Sequence, residues 1–500
     1  MKYVPIACLL CLLVIAAACG GGSESSQEQE PPPPSPPRDV KLTQLSTDTF
    51  SNAGSQHATE VEAGSFAFGS TIVTAFQVGR IFSGGAADIG FAISTDQGRS
   101  WTNGYLPGIT VFEGGGYDAV SDPAVAFDVV HGVWLISSLS IKNVDRVVSS
   151  RSADGTDWED PVIVSRTPDS DKNWIACDNG PSSPFRGHCY TEWDDPSNEG
   201  LIWMSTSTDG GLSWGRARNT ADQAAGIGGQ PVVQPNGTVV VPIEGWAGDK
   251  MLAFISTDGG ASWQAATEIS KIADHLVAGD LRTSALPSAG VDAAGTVYVV
   301  WQDCRFRTSC ASNDMILSTS SDGVRWSSPT RIPIDPLRSG ADHFIPGLAV
   351  DPSTSGSFAH LALTYYFYPV AACALTTCDL KAGFIASADG GSTWSKPTTL
   401  AGPMATFWLP NTFAGFMVGD YASTVFSGGK AFSIIAIAGG NAGMLFNEPM
   451  FATTRGFTVA QQAAVLTSAN ERPVRNARAD HARRSFYDQE EHRYPIRPPR

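Results

Sequence analysis

The sequence predicts an all-β chain folded as a β-propeller, and two repeated features carry that prediction. The first is a turn of the form Ser-x-Asp-x-Gly-x-Ser/Thr-Trp, present six times, at 94–101, 152–158, 207–214, 256–263, 320–326 and 387–394; the second and fifth copies are one residue shorter. The second is a pair of apolar or alternating segments upstream of each turn, such as 295–301 (Gly-Thr-Val-Tyr-Val-Val-Trp), which have the period of strands. Successive turn tryptophans lie 57, 56, 49, 63 and 68 residues apart, the length of a four-stranded blade with its loops.

The turn chemistry explains the repeat. An Asp carboxylate can accept hydrogen bonds from backbone amides just downstream, Gly supplies a positive φ, and Ser or Thr closes a second local bond. The Trp then opens the next strand, with its ring N–H expected to find a local acceptor. Strand-pair units also occur before the first turn, at 60–76, and after the last, at 419–437, giving seven units for six turns. Seven blades are therefore expected, the last closed by residues 40–46, with six blades plus a terminal hairpin as the alternative. Closure removes exposed strand edges.

The ends of the chain have a different character. Lys2 precedes an uncharged run at 6–18 and then Cys19. Thirteen residues at helical rise span about 20 Å, too short to cross a bilayer but suited to a signal peptide. Residues 19–39, rich in Gly, Ser, Glu and Pro, cannot build a core and are expected to be a tether. Residues 40–456 are expected to form the propeller. Residues 457–500 are expected to be a basic, disordered tail; the last thirty hold eight arginines. The formal net charge of −16 disfavours nucleic acid as a partner. Six cysteines beyond the tether fall into sequence-local pairs, Cys177 with Cys189, Cys304 with Cys310 and Cys373 with Cys378, which suits short-loop disulfides in an oxidising compartment.

The six turns resemble the Asp-boxes of the sialidase and BNR-repeat superfamily, and the 15–20 segment (Ile-Ala-Ala-Ala-Cys-Gly) resembles the lipobox of bacterial lipoproteins. Segments 171–176 (Asp-Lys-Asn-Trp-Ile-Ala) and 419–421 (Gly-Asp-Tyr) are similar to those of BNR-repeat lipoproteins. The resemblance implies a sialidase-like propeller whose Asp-boxes are structural, and acylation at Cys19 that attaches the exported chain to a bacterial membrane, expected to be the outer one. In sialidases three arginines hold the substrate carboxylate, a Tyr paired with a Glu is the nucleophile and an Asp is the acid/base. Carried over, this implies Tyr421, Glu244 and Asp122 in those roles. The expected arginine-bearing motif before the first Asp-box is absent, and Gly79-Arg80-Ile81-Phe82 is only an echo of it.

A propeller gathers the starts of its inner strands at one axial mouth. The same place in successive repeats holds Glu60 or Glu62, Asp122, Asp171 with Lys172, Gln230, Arg282, His343, and Asp420 with Tyr421. Asp171, Lys172, Gln230, Arg282, His343 and Asp420 are thus the candidate ligand-binding residues, and a ring of mutually neutralising ion pairs is the structural alternative. Trp174, Trp193, Trp246 and Trp408 lie near strand ends and are candidates to stack on sugars, whereas Trp203 and Trp301 belong to core patterns. No cofactor or metal is expected: no twelve-residue calcium loop is present, and the possibility of structural calcium is unsupported. Recognition of a glycan or surface protein at the mouth is the expected function. An exo-glycosidase of the sialidase type and an outer-membrane assembly partner are the alternatives.

Overall fold

The computed structural model describes residues 40–142, 146–167, 169–440, 446–459, 466–467 and 472–473. The segments expected to be a signal peptide and a tether, with Cys19, and nearly all of the expected tail lie outside the described residues. No described helix is long and apolar enough to cross a membrane. Apart from single 3-10 turns, the described elements are strands.

The strands form seven antiparallel blades in chain order. Blade 1 comprises Ser55–Phe68, Thr71–Ile81, Ala86–Ser94 and Thr102–Tyr105, and blade 2 comprises Ala119–Asp128, Val133–Ile141, Arg146–Ser152 and Val162–Ile163. A single pairing, Ala86 with Val120, joins these two blades. Blade 3 comprises Asp171–Cys177, Cys189–Asp195 and Leu201–Ser207, extended by a bridge from Met204 to Arg218. Blade 4 lays two short inner segments, Gly226–Ile227 and Val232–Val233, on Val239–Gly245, followed by Lys250–Ser256 and Thr267–Lys271. Blade 5 comprises Ser288–Val291, Val297–Asp303, Asp314–Ser320 and Thr330–Arg331. Blade 6 comprises Asp342–Val350, Leu361–Tyr368, Asp379–Ser387 and Thr398–Ala405. Blade 7 takes Ser423–Ser427, Lys430–Ala436 and Met450–Thr453 from the end of the chain and its fourth strand, Leu42–Gln44, from the beginning. Leu42 pairs with Thr453 and Gln44 with Phe451, so the ring closes by the expected exchange of ends. Two short pairings fall beyond residue 456: Phe457–Thr458 on Lys430–Ala436, and Leu466–Thr467 on Thr393–Trp394.

Each blade is covered on both faces by its neighbours, so its middle strands are buried along most of their length instead of on alternate residues; every residue of Val297–Asp303 is buried. Apolar clusters bridge adjacent blades. Val300, Leu317, Leu361 and Ile385 join blades 5 and 6, and Phe76, Tyr366 and Phe432 belong to one cluster shared by blades 1, 6 and 7.

The Asp-boxes sit where the third strands of blades 1 to 6 end, opposite the starts of the inner strands. In the box at 256–263, Asp258 accepts from the Ser262 amide (2.9 Å) and hydroxyl (2.5 Å) and from Ser256 Oγ (2.8 Å). Box carboxylates are held below their ordinary range; for Asp96, hydrogen bonds from Ser100 bring the pKa to about 2. Gly260 has φ +82°, and a Cβ there would lie 2.2 Å from Thr206 Oγ1 of blade 3, so this glycine is also a contact between blades. Gly98 makes the corresponding contact with Phe432 of blade 7. The expectation for the box tryptophans holds in part. Trp101 Nε1 donates to the Gly98 carbonyl and Trp394 Nε1 to that of Gly391, whereas Nε1 of Trp158, Trp214, Trp263 and Trp326 has no partner among the described residues. All three expected disulfides are present.

Candidate functional site

The inner strands of four blades break register at the same place: between Val61 and Gly64, Ser121 and Ala124, Asp171 and Trp174, and Phe344 and Gly347. Each bulge holds one non-glycine residue in the left-handed region: Glu62 (φ 59°), Asp122 (49°), Lys172 (46°) and Ile345 (55°). Such a conformation costs about 1–3 kcal/mol, and a bulge re-aims its side chain. In blades 1 to 3 the re-aimed side chain is charged.

Those charges meet at the centre of the ring. Lys172 Nζ lies 3.0 Å from Asp122 Oδ1, 2.5 Å from Asp420 Oδ2 and 3.4 Å from Glu62 Oε1. Arg282, ahead of the blade 5 inner strand, grips Asp420 with two parallel bonds, Nε to Oδ1 at 2.8 Å and Nη2 to Oδ2. Gln77 Nε2 donates to Glu62 Oε2. Arg80 is buried beside this cluster, where its charge interacts with those of Arg282, Glu62, Asp420 and Asp122; its Nε lies 3.1 Å from Met417 Sδ and Nη1 donates to the Gly85 carbonyl. Burial opposes every one of these charges, and the pairing decides the outcome. It raises Glu62 to about 7 against the pull of Lys172. Asp420 instead stays below its ordinary range, because Arg282 and Lys172 outweigh burial. Lys172 is held above its ordinary value because Asp122, Asp420 and Glu62 outweigh burial.

Beside the cluster lies a small recess with an enclosed volume of about 10 Å³, room for a single water-sized group, lined by Asn173, Trp174, Gln230, Leu286, Pro287 and Tyr421, with Lys172 and Gly228 completing it. The Trp174 and Tyr421 rings meet edge to face, with centroids 5.1 Å apart. Asn173 Nδ2 donates to Ser137 Oγ at 2.8 Å, and Gln230 Oε1 accepts from the Ala289 amide at 3.1 Å. Asn173 Oδ1 and the Tyr421 hydroxyl are buried with no hydrogen-bond partner among the described residues. Burial, with the charges of Glu62, Asp122 and Asp420, raises the Tyr421 pKa well above its ordinary value, so the phenol stays neutral.

Asp122, Lys172, Arg282, Asp420 and Tyr421 therefore converge as the sequence predicts, and Gln230 reaches the recess. Asp171 faces Tyr421 electrostatically, while its Oδ1 accepts from the Lys172 amide. Of the pair Glu60 or Glu62, the cluster residue is Glu62. Glu60 turns to the seam between blades 1 and 7, where its amide bonds the Glu448 carbonyl (2.9 Å) and the two carboxyls lie buried near each other. Burial, with the Asp48 charge adding to it, raises Glu60 to about 8. Glu244 lies on the second strand of blade 4, paired in register with Ile227 and Met251, and is not among the carboxylates acting most strongly on Tyr421.

His343 sits elsewhere, two residues before the bulge position that Ile345 occupies. It stacks on Phe367 (5.8 Å, 22°) and groups with Asp314 and Asp335. That trio could hold a metal by distance, but guanidinium groups already bind its carboxylates: Arg307 Nη2 lies 2.6 Å from both Asp314 Oδ1 and Asp335 Oδ1, and Arg331 Nε lies 2.7 Å from Asp314 Oδ1. Burial keeps His343 neutral by lowering its pKa. Among the candidate sugar platforms, Trp193 is fully buried and bonds Thr167 Oγ1 at 3.0 Å, so it is core. Trp174, Trp246 and Trp408 are part-exposed. Trp301 is core as expected.

Residues 187–347 match the BNR repeat-like domain family, from the second strand of blade 3 into the inner strand of blade 6. No curated protein sequence matches the chain. Among solved structures, an ulvan lyase representing a new polysaccharide lyase family aligns over 85% of this chain and 98% of its own, with TM-score 0.50 and 11% identity. A Hadza microbial sialidase aligns over 82% of this chain and 67% of its own, with TM-score 0.42 and 14% identity. A protein of unknown function from Dyadobacter fermentans aligns over 70% and 98%, with TM-score 0.45 and 14% identity.

Proposed function

We propose that this chain, a sialidase-like β-propeller carrying a BNR repeat-like domain, is an exported recognition protein that is tethered through an acylated Cys19 and binds a glycan at the recess beside its axial cluster. The observation that carries the proposal is the state of the cluster. Arg282 and Lys172 already bind Asp420, and the Tyr421 hydroxyl has no base bonded to it. A covalent nucleophile needs such a base, and a clamp for a substrate carboxylate needs arginines that are not committed to protein carboxylates. The recess and its rim offer what sugar binding uses: the part-exposed ring of Trp174, the Tyr421 hydroxyl and amides from Asn173 and Gln230. The likeness to an ulvan lyase and to a sialidase supports the fold, and the glycan reading takes its substrate class from their names.

Binding of the intact chain to a broad glycan array tests the proposal. Saturable binding that falls at least about fivefold in Trp174→Ala supports it, given that losing one well-packed aromatic contact costs more than about 1 kcal/mol. No saturable binding by correctly folded protein overturns it. Partition of the exported protein into detergent, abolished in Cys19→Ser, tests the anchor.

One observation favours a second reading, glycoside cleavage. Glu62, at about 7, can hold or release a proton near neutrality, and its charge acts on Tyr421. Turnover of a fluorogenic panel of sialosides, neutral glycosides and uronides that is lost in Tyr421→Phe would establish it, and absence of turnover would remove it.

A further inference from the structure

Resting on the glycan-binding reading, we infer that the group of the ligand entering the recess is an uncharged sugar hydroxyl, and that a sugar carboxylate is rejected there. Two independent observations lead to this. The first is the charge count. Three cations, Arg80, Lys172 and Arg282, face four carboxylates, Glu62, Asp122, Asp171 and Asp420, across the cluster and the adjoining Tyr421. No cation is in excess. A sugar carboxylate would therefore have to displace Asp420 from Arg282 or Lys172 and leave a buried protein carboxylate uncompensated.

The second is the pair of unmatched polar atoms. Asn173 is 1% exposed and Tyr421 7% exposed, and both line the recess; Asn173 Oδ1 can only accept, and the phenol can accept or donate. A buried acceptor without a donor is a deficit that a ligand hydroxyl removes, whereas a ligand carboxylate, having no hydrogen to give, cannot satisfy Asn173 Oδ1. The site rejects by an unmet hydrogen bond as well as by charge, which is how a polar pocket discriminates sharply. Trp174, part-exposed against Tyr421, supplies the apolar face on which the ring's C–H side can lie.

Isothermal titration of the intact chain with matched pairs tests the inference: methyl glucoside against methyl glucuronide, and galactose-terminated glycans against the same glycans capped with sialic acid. The expected result is saturable binding of the neutral member, at least about tenfold weaker binding of its acidic counterpart, and an affinity for the neutral member that does not change with added salt. Tyr421→Phe and Asn173→Ala should each weaken the neutral ligand about five- to tenfold, the worth of roughly one hydrogen bond. Tyr421→Phe keeps the ring and its packing, so it remains informative if Asn173→Ala fails to fold. Equal or tighter binding of the acidic members overturns the inference while leaving glycan recognition standing. Binding of neither member at a folded protein overturns both.

Discussion

Replacing Glu60 by Gln should reduce the dependence of the seam between blades 1 and 7 on pH. Glu60 is 2% exposed, its Oε2 has no partner among the described residues, and it faces Asp48 and Glu448, with His57 beside Asp48. Burial lifts its pKa from 4.5 to about 8. A carboxyl raised on folding keeps a proton that the unfolded chain releases. Its contribution to stability is thus fully present below about pH 4.5 and is lost as pH rises through about 8. At roughly 1.4 kcal/mol per pKa unit, that span amounts to about 5 kcal/mol. Gln copies the neutral acid at every pH. In urea unfolding followed by tryptophan fluorescence, the variant should match the parent near pH 4.5 and exceed it by several kcal/mol near pH 9. Glu448, also raised well above its ordinary value, leaves a residual slope in the variant, which Glu60→Gln/Glu448→Gln should remove. Equal pH slopes in the parent and Glu60→Gln would refute the assignment of Glu60 as a buried neutral acid.

Three further outcomes follow from the same structure. Arg282→Ala leaves buried Asp420 with Lys172 as its remaining described ion-pair partner, and a loss of about 3–5 kcal/mol in urea unfolding is expected. Asp258→Ala removes three hydrogen bonds from one box; a loss of about 1–3 kcal/mol with unchanged ligand affinity would confirm that the box is structural, and lost affinity at full stability would contradict it. Gly260→Ala forces a Cβ against Thr206 and a side chain into φ +82°, and should lower the melting temperature by more than Asp258→Ala does.

Blade number, ring closure and disulfides were legible in the sequence because each rests on local chemistry. An Asp-box closes on itself within eight residues, and Cys177 and Cys189 face each other across one hairpin. The axial cluster was legible only in part. Its geometry depends on bulges that put Glu62, Asp122 and Lys172 in the left-handed region, and these residue types carry no sequence mark for that conformation. Counting along the repeat therefore left Glu60 and Glu62 undecided and picked His343, while the bulge in blade 6 presents Ile345. Arg80 was visible as a lone cation in the apolar strand Thr71–Ile81, but its position at the end of a second strand set it apart from the inner-strand pattern. Asn173, hidden between Lys172 and Trp174, is distinguished by an unmatched oxygen that only the folded chain shows. Glu244 has the residue type of a partner for Tyr421, but it belongs to the second strand of blade 4.

The strand Leu42–Gln44 is made first and docks last. Its partner begins at Met450, so at a synthesis rate of about 5–20 residues per second it waits roughly 20 to 80 s for the strand that receives it. Until then Lys430–Ala436, the second strand of blade 7, has an open edge, and the shared cluster of blades 1, 6 and 7 is incomplete. A chain that stops short of Met450 therefore cannot complete the ring, however many of its blades are correct, and stays open to proteases until it is degraded.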